Sequence, residues 1–275
     1  MITSAQMPQV FRTIIDGELT VFREGRTVQV VNQLPNTTDI PIVNPKHWLK
    51  IPDVVCVFVD MKGSTQLSAS LHDQSTAGAY QLFTSTAVKL FHAFESPYID
   101  VKGDGVFALF NSDQVHRALA AAVTFRTFAS EVFKPTITET TKLEIGAHIG
   151  IDQKTVLVRK LGLKQVEGRS DRQNEVWAGK PVNMASKLAS LGGEGHILVS
   201  DRFFRNLSDD HALLSCGCVD DGRYIGIRSS LWFEVKVAQI TDKQMFDFDL
   251  VYRLNNRWCQ NHGDEFCQAL LNADR

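Results

Sequence analysis

The six-residue run Val54-Val-Cys-Val-Phe-Val59 constrains this chain more than any other feature. A strand that is apolar at successive positions has no face to offer water, so it belongs inside a sheet covered on both sides. The run ends at Asp60, and the turn Met61-Lys-Gly-Ser-Thr65 leads into a helical stretch reaching about Phe94. Along it Leu67, Leu71, Ala77, Tyr80, Phe83, Val88, Leu90 and Phe91 supply the expected apolar face. A carboxylate at the mouth of a buried strand is either a turn former or a ligand.

The following residues extend an α+β pattern. Residues 98–110 read as two strands around Gly103-Asp104-Gly105, because an Asp-Gly pair favours a tight hairpin. The alanine-rich residues 113–133 predict a helix that Pro135 stops. Residues 143–151 alternate as a strand does, and a polar, basic loop follows over 153–174 with Arg159, Lys160, Lys164, Arg169 and Arg172. Residues 182–191 form a helix closed by Gly192-Gly193. Strands are expected at 196–200, with a helix cap at Ser200 or Asp201, and at 232–237. The order β-α-β-β-α-β is the ferredoxin-like split βαβ arrangement. Upstream, the alternating Glu18-Leu-Thr-Val-Phe22 and Thr27-Val-Gln-Val-Val31, with Pro35, Pro41 and Pro45, predict short strands or an extended arm rather than a helix. The expected division is an N-terminal arm (1–50), a main domain (51–240) and a C-terminal helical extension (241–275).

In a split βαβ sheet the first strand and the hairpin are neighbours, so their ends can bring Asp60 and Asp104 together. Two close carboxylates repel unless cations lie between them, and hard oxygen ligands suit Mg²⁺ or Mn²⁺. The backbone N–H groups of Lys62, Gly63, Ser64 and Thr65 sit at a helix start, which favours phosphate. Carboxylates, metal and a phosphate cradle together make a two-metal nucleotide site. His262-Gly-Asp-Glu-Phe266 has the composition of the diguanylate cyclase hairpin, but its flanks read as helix and the match is set aside.

Three motifs in register, Phe58-Val-Asp60-Met-Lys-Gly-Ser-Thr65, Lys102-Gly-Asp104 and Gly179-Lys-Pro-Val-Asn183-Met-Ala-Ser186-Lys187, give the chain a resemblance to class III nucleotidyl cyclases over about residues 51–240. Gly195-His-Ile-Leu-Val-Ser200 extends it. The resemblance implies a homodimer with active sites at the subunit interface. One subunit would supply Asp60, Asp104 and the Met61 carbonyl for two metals, and the other Asn183, to orient the ribose, with a cation from the same helix. That cation is usually Arg in the family; here it is Lys187, four residues after Asn183 on one helix face. Lysine keeps the charge and loses the planar fork.

The base-reading positions depart further. Where adenylyl cyclases of the family carry Lys and Asp, this chain has Asp100 and Val176, the latter beside Glu175. A carboxylate cannot donate to adenine N1. It accepts from the ring N–H of guanine or uracil, or from the amino group of cytosine, which leaves three bases open. The choice among them comes from resemblance: a stand-alone cyclase without a sensor domain looks like the bacterial pyrimidine cyclases of anti-phage defence. These make cyclic UMP or cyclic CMP to activate a separately encoded effector. The expectation is therefore UTP converted to cyclic UMP, with CTP, GTP, ATP or a degenerate nucleotide-binding fold as the alternatives.

A net charge of −2 argues against a nucleic-acid partner. No apolar run of membrane-spanning length and no secretory leader are evident, so a cytoplasmic protein without a membrane partner is expected. The five cysteines, Cys56, Cys216, Cys218, Cys259 and Cys267, lack paired metal-ligand spacing. Cys216-Gly-Cys218 and Cys259…His262…Cys267 contain ligand types, but the expected state is reduced thiols.

Overall fold

The computed structural model describes residues 6–70, 72–163, 173–193, 195–219 and 222–274; Leu71, Lys164, Arg169 and Arg172 lie outside them. Two compact units emerge, Pro52–Val156 with Gly179–Arg275, and Met1–Ile51 with Leu157–Ala178. The strands are β1 (Thr27–Val30), β2 (His47–Lys62), β3 (Tyr98–Lys102), β4 (Gly105–Phe110), β5 (Gly146–Gly162), β6 (Gln173–Gly179), β7 (Ile197–Ser200), β8 (Trp232–Lys236) and β9 (Leu250–Leu254). The α-helices are α1 (Gln9–Arg23), α2 (Ser64–Ser70), α3 (Asp73–Ala93), α4 (Val115–Phe128), α5 (Lys134–Thr141), α6 (Lys180–Leu191), α7 (Asp201–Phe204), α8 (Asp210–Leu213) and α9 (Gly263–Ala273).

In the larger unit the sheet order is β3-β4-β2-β5-β7-β9-β8. The Val54–Val59 run takes the expected interior place, with β4 antiparallel on one side and β5 on the other. Register then sorts the side chains. Val55, Val57 and Val59 of β2 share a face with Val106, Ala108 and Phe110 of β4, and all six belong to the main core. Helix α3 reaches that core with Ala79, Phe83, Ala87 and Phe91, a stripe at four-residue spacing. Phe83 meets Phe125 of α4 edge-on, with ring centroids 5.1 Å apart. The alanines of α4 carry only a methyl group, so that helix packs closely and is buried nearly all round.

The opposite face of the sheet is covered by α6. Its Met184 and Leu188 cluster with Leu198, Val237, Phe248 and Val251. The approach is close because β5 has Gly150 there: a Cβ at that position would lie 2.1 Å from the Ala185 carbonyl oxygen and 2.5 Å from the Ala189 nitrogen.

The smaller unit holds α1, β1, the start of β2, the end of β5 and β6. Strand β1 pairs in parallel with β2, Thr27 opposite His47. Arg159 donates to the Pro45 carbonyl and lies over the Trp48 ring, while the Lys160 backbone N–H donates to Pro41 O at 3.0 Å.

Several sequence expectations need correction. Glu18–Phe22 is helical: Phe11, Ile15, Leu19 and Phe22 satisfy a helix period that outweighs the short alternation. The helix expected to run to Phe94 is two helices, broken at His72, and Ala77 is exposed. Pro135 falls in the first turn of α5, where its missing N–H is tolerated, and a π-helical turn, Ala129–Phe133, joins α4 to α5. The loop expected from 153 is strand through Gly162. The residues expected as a helical extension also supply β9, hydrogen-bonded between β7 and β8.

Candidate active site

The β2–β4 ladder ends with Asp60 opposite Gly105. The connection from β3 to β4 is only Gly103-Asp104, and Gly103 takes φ +67°, as the first central residue of a type II′ turn requires. Asp104 therefore sits one residue from Asp60's partner. Burial and the Asp104 charge together push the Asp60 carboxyl up to about 6, against a hydrogen bond from the Met61 N–H that opposes the rise. A carboxylate whose proton affinity is raised by burial and by a neighbouring carboxylate charge belongs to a site that favours a cation. All the donors are hard oxygens, so the set fits Mg²⁺ or Mn²⁺.

Gly105 makes room for this pair. A Cβ there would lie 3.1 Å from Asp60 Oδ1 and 2.8 Å from Phe58 Cζ. The turn after Asp60 uses Gly63 at φ +84°, and the Gly63 carbonyl accepts the first α2 bond from Leu67 N at 2.9 Å. Lys62, Gly63 and Ser64 are half-buried, Thr65 is exposed and Met61 is buried beneath them.

Asp100 on β3 shares the sheet face of Asp60, because both register onto the same side of β4. It is half-buried and paired with Lys102, Nζ to Oδ2 at 2.7 Å. The sequence reading treated Asp100 as a lone acceptor; the fold puts a donor beside it, two residues along the strand.

Asn183 is exposed on α6, on the helix that covers the same sheet face as Asp60. Lys187 shares its side of the helix and donates to the Met245 carbonyl at 2.9 Å, with Nζ 5.8 Å from the Phe246 ring centroid. At the head of α6, Lys180 meets Asp247 at 2.8 Å, and Arg202 bridges Asp247 to the fully buried Asp152. These cations hold the Asp247 carboxyl down at about 2. Nothing local in the sequence pointed to the 245–248 segment as the brace for α6. Among the described residues, no hydrogen bond joins Asn183 to Asp60 or Asp104 within one chain.

Val176 lies half-buried on β6 in the smaller unit; the preceding Glu175 has a buried Oε2 without a hydrogen-bond partner among the described residues. Arg159 and Lys160, expected in a polar, basic loop, are on β5 and engaged with residues 37–45.

Residues 49–222 match the adenylate and guanylate cyclase catalytic domain. The chain is 36% identical over 241 residues to a uridylate cyclase of Propioniciclava tarda, covering 86% of this chain and 74% of that protein. It is 31% identical over 238 residues to a uridylate cyclase of Micromonospora echinofusca, covering 85% and 74%. Among solved structures it is similar to the guanylyl cyclase Cya2 (TM-score 0.57, 18% identity, 74% of this chain and 92% of that one). It is also similar to the adenylyl cyclase CyaB of P. aeruginosa (TM-score 0.55, 16% identity, 76% and 96%). The α+β fold, the family match and the relatives agree: this chain belongs to the class III nucleotidyl cyclases, and it is a nucleotidyl cyclase.

Proposed function

We propose that this enzyme converts UTP to 3′,5′-cyclic UMP and pyrophosphate, as a cytoplasmic homodimer that binds two Mg²⁺ or Mn²⁺ ions per site. The observation that carries the reading is the Asp60–Asp104 pair at the end of the β2–β4 ladder, with the Asp60 carboxyl raised to about 6. Asp60, Asp104 and the Met61 carbonyl are the proposed metal ligands. Bound there, divalent ions supply charge neutralisation for the triphosphate and acidify the ribose 3′-OH.

The chain's own residues do the positioning. The N–H groups of Lys62, Gly63, Ser64 and Thr65 are directed toward phosphate oxygens. Asn183 of the opposite subunit orients the ribose so that its 3′-oxygen lies in line with the α-phosphorus. Its exposure on α6 supports a role toward a second chain. Lys187 has three N–H donors and uses one on Met245, leaving two for the developing phosphorane charge. The catalytic domain proposed for residues 51–240 has β9 in its sheet as well.

Asp100 accepts from uracil N3–H, and Val176 provides an apolar wall. Because Lys102 adds a donor beside Asp100, hydrogen-bond complementarity alone matches more than one base edge. The uridylate cyclase relatives support uracil among them. The product would act as a second messenger in anti-phage defence, through a separately encoded effector.

The test is direct. Purified protein with Mn²⁺ and equimolar ATP, GTP, CTP and UTP should give cyclic UMP as the main product by mass spectrometry. Cyclic AMP as the dominant product would overturn the reading of Asp100.

A further inference from the structure

Four side chains outside the cyclase site converge beside β8 and β9, at the edge of the strand order away from β3 and β4. Cys216, Cys218, Cys259 and His262 each offer one ligand atom, and these atoms all lie within 4.8 Å of one another. Cys218 Sγ is 3.4 Å from His262 Nδ1, and Cys259 Sγ is 3.8 Å from it. A tetrahedral Zn²⁺ with Zn–S of about 2.3 Å and Zn–N of about 2.0–2.1 Å has S···N edges of about 3.6 Å. The observed separations bracket that edge.

Between α8 and β8, residues 214–219 and 222–230 run outside the named strands, closed by single bridges at Leu214–Ser230 and Cys218–Tyr224. Tyr224, Ile225 and Ile227 are 64%, 47% and 70% exposed, so the excursion buries little apolar surface of its own. Backbone hydrogen bonds such as Ser215 N to Ser229 O and Ile225 N to Gly217 O, both 2.8 Å, give it a shape, and a metal would fasten that shape to the rest of the chain. Its turn is built to present two sulfurs together: Gly217, between the cysteines, takes φ +88°, and a Cβ there would lie 3.2 Å from the Tyr224 ring. Cys259 and His262 come from a single turn, in which Gly263 N donates to the Cys259 carbonyl at 2.8 Å as α9 begins. Asn261 from that turn also donates to Gly222 O at 2.6 Å.

We propose that Cys216, Cys218, Cys259 and His262 bind one Zn²⁺ in a structural Cys₃His site that fastens the 214–230 excursion to the start of α9. Four protein ligands close the coordination sphere, which makes the site structural rather than catalytic. Three thiolates select zinc over the hard cations suited to Asp60 and Asp104. The three cysteines bind as thiolates, so the zinc centre carries a net charge of −1. Cys267 is not among the four.

The full chain, purified under reducing conditions, should carry one zinc per chain by elemental mass spectrometry. Replacing zinc with Co²⁺ should produce thiolate charge-transfer bands and the d–d absorption of a tetrahedral centre, a reading that needs no mutation. Cys218→Ser and Cys259→Ser should lose the metal, while Cys267→Ser and Asp60→Asn keep it. Protein that neither holds zinc nor takes up Co²⁺ would overturn the proposal. So would equal zinc retention by Cys259→Ser, or an intact mass showing a disulfide among these cysteines.

Discussion

Asp60→Asn should make the protein more stable while abolishing its activity. The native carboxyl is raised from 3.8 to about 6, first by burial and then by Asp104. At about 1.4 kcal/mol for each tenfold change in proton affinity, ionised Asp60 costs the fold up to about 3 kcal/mol at neutral pH. Partial solvent access reduces this, and about 1.5–3 kcal/mol is the expected range. The sign follows from linkage. Between pH 4 and 6 the native state holds a proton that the unfolded chain has released, so wild-type stability falls as pH rises through that window. Asparagine does not titrate, so the gap between the proteins should be small at pH 4 and full by pH 7. For a chain of 275 residues the gain corresponds to a rise in Tm of roughly 3–5 °C. Thermal and urea unfolding at pH 4.5, 6 and 7.5, in buffer without Mg²⁺ or Mn²⁺, measure it. Adding Mn²⁺ should stabilise wild type and leave the variant unmoved. Asp104→Asn should stabilise too, by removing one of the causes that raise Asp60, and the double variant by less than the sum, since the Asp60–Asp104 repulsion is lost in either single variant. A variant no more stable than wild type at pH 7.5, or a gap independent of pH, would refute the close carboxylate pair.

Two further outcomes test the rest of the site. If Asp60 and Asn183 act across a two-fold interface, mixing the inactive Asp60→Ala and Asn183→Ala proteins should recover about a quarter of wild-type activity, since each mixed dimer has one intact site. A mixture as inactive as its parents, with subunit exchange verified, would place both residues in one subunit's site. Gly150→Ala should cost about 1–3 kcal/mol or more in urea unfolding, because its Cβ would meet α6 backbone at 2.1 Å and 2.5 Å. It should also lower kcat, since the displaced helix carries Asn183 and Lys187; unchanged stability and kcat would show that α6 is not seated on that glycine.

Much of the cyclase framework was legible in the sequence because short-range patterns encode it. The Val54–Val59 run, the Gly103-Asp104 turn and the glycine stop after α6 each carry their geometry within a few residues, and the Ser200 cap does so with its bond from Phe203 N. Where two local readings competed, the sequence misled. Residues 18–22 alternate as a strand does but also lie in phase with Phe11 and Ile15, and the longer period prevailed in α1. Pro135 reads as a stop only if the helix before it keeps its register, which the π-helical turn changes.

Tertiary structure decided whatever depends on residues distant in the chain. Strand β9 lies between β7 and β8, a placement set by sheet pairing across some fifty residues rather than by its own composition. Lys102 converts Asp100 from a lone acceptor into half of a pair, and Met245 holds the Lys187 ammonium. The cysteines show the division most clearly. Their spacing along the chain argued against a metal, because paired spacing is a signal only when both ligand pairs come from local turns of familiar shape. Here Cys216 and Cys218 meet Cys259 and His262 only after the sheet has brought the 214–230 excursion against the start of α9. Sequence fixes which ligand atoms exist; distance, and with it coordination, is a property of the folded chain alone.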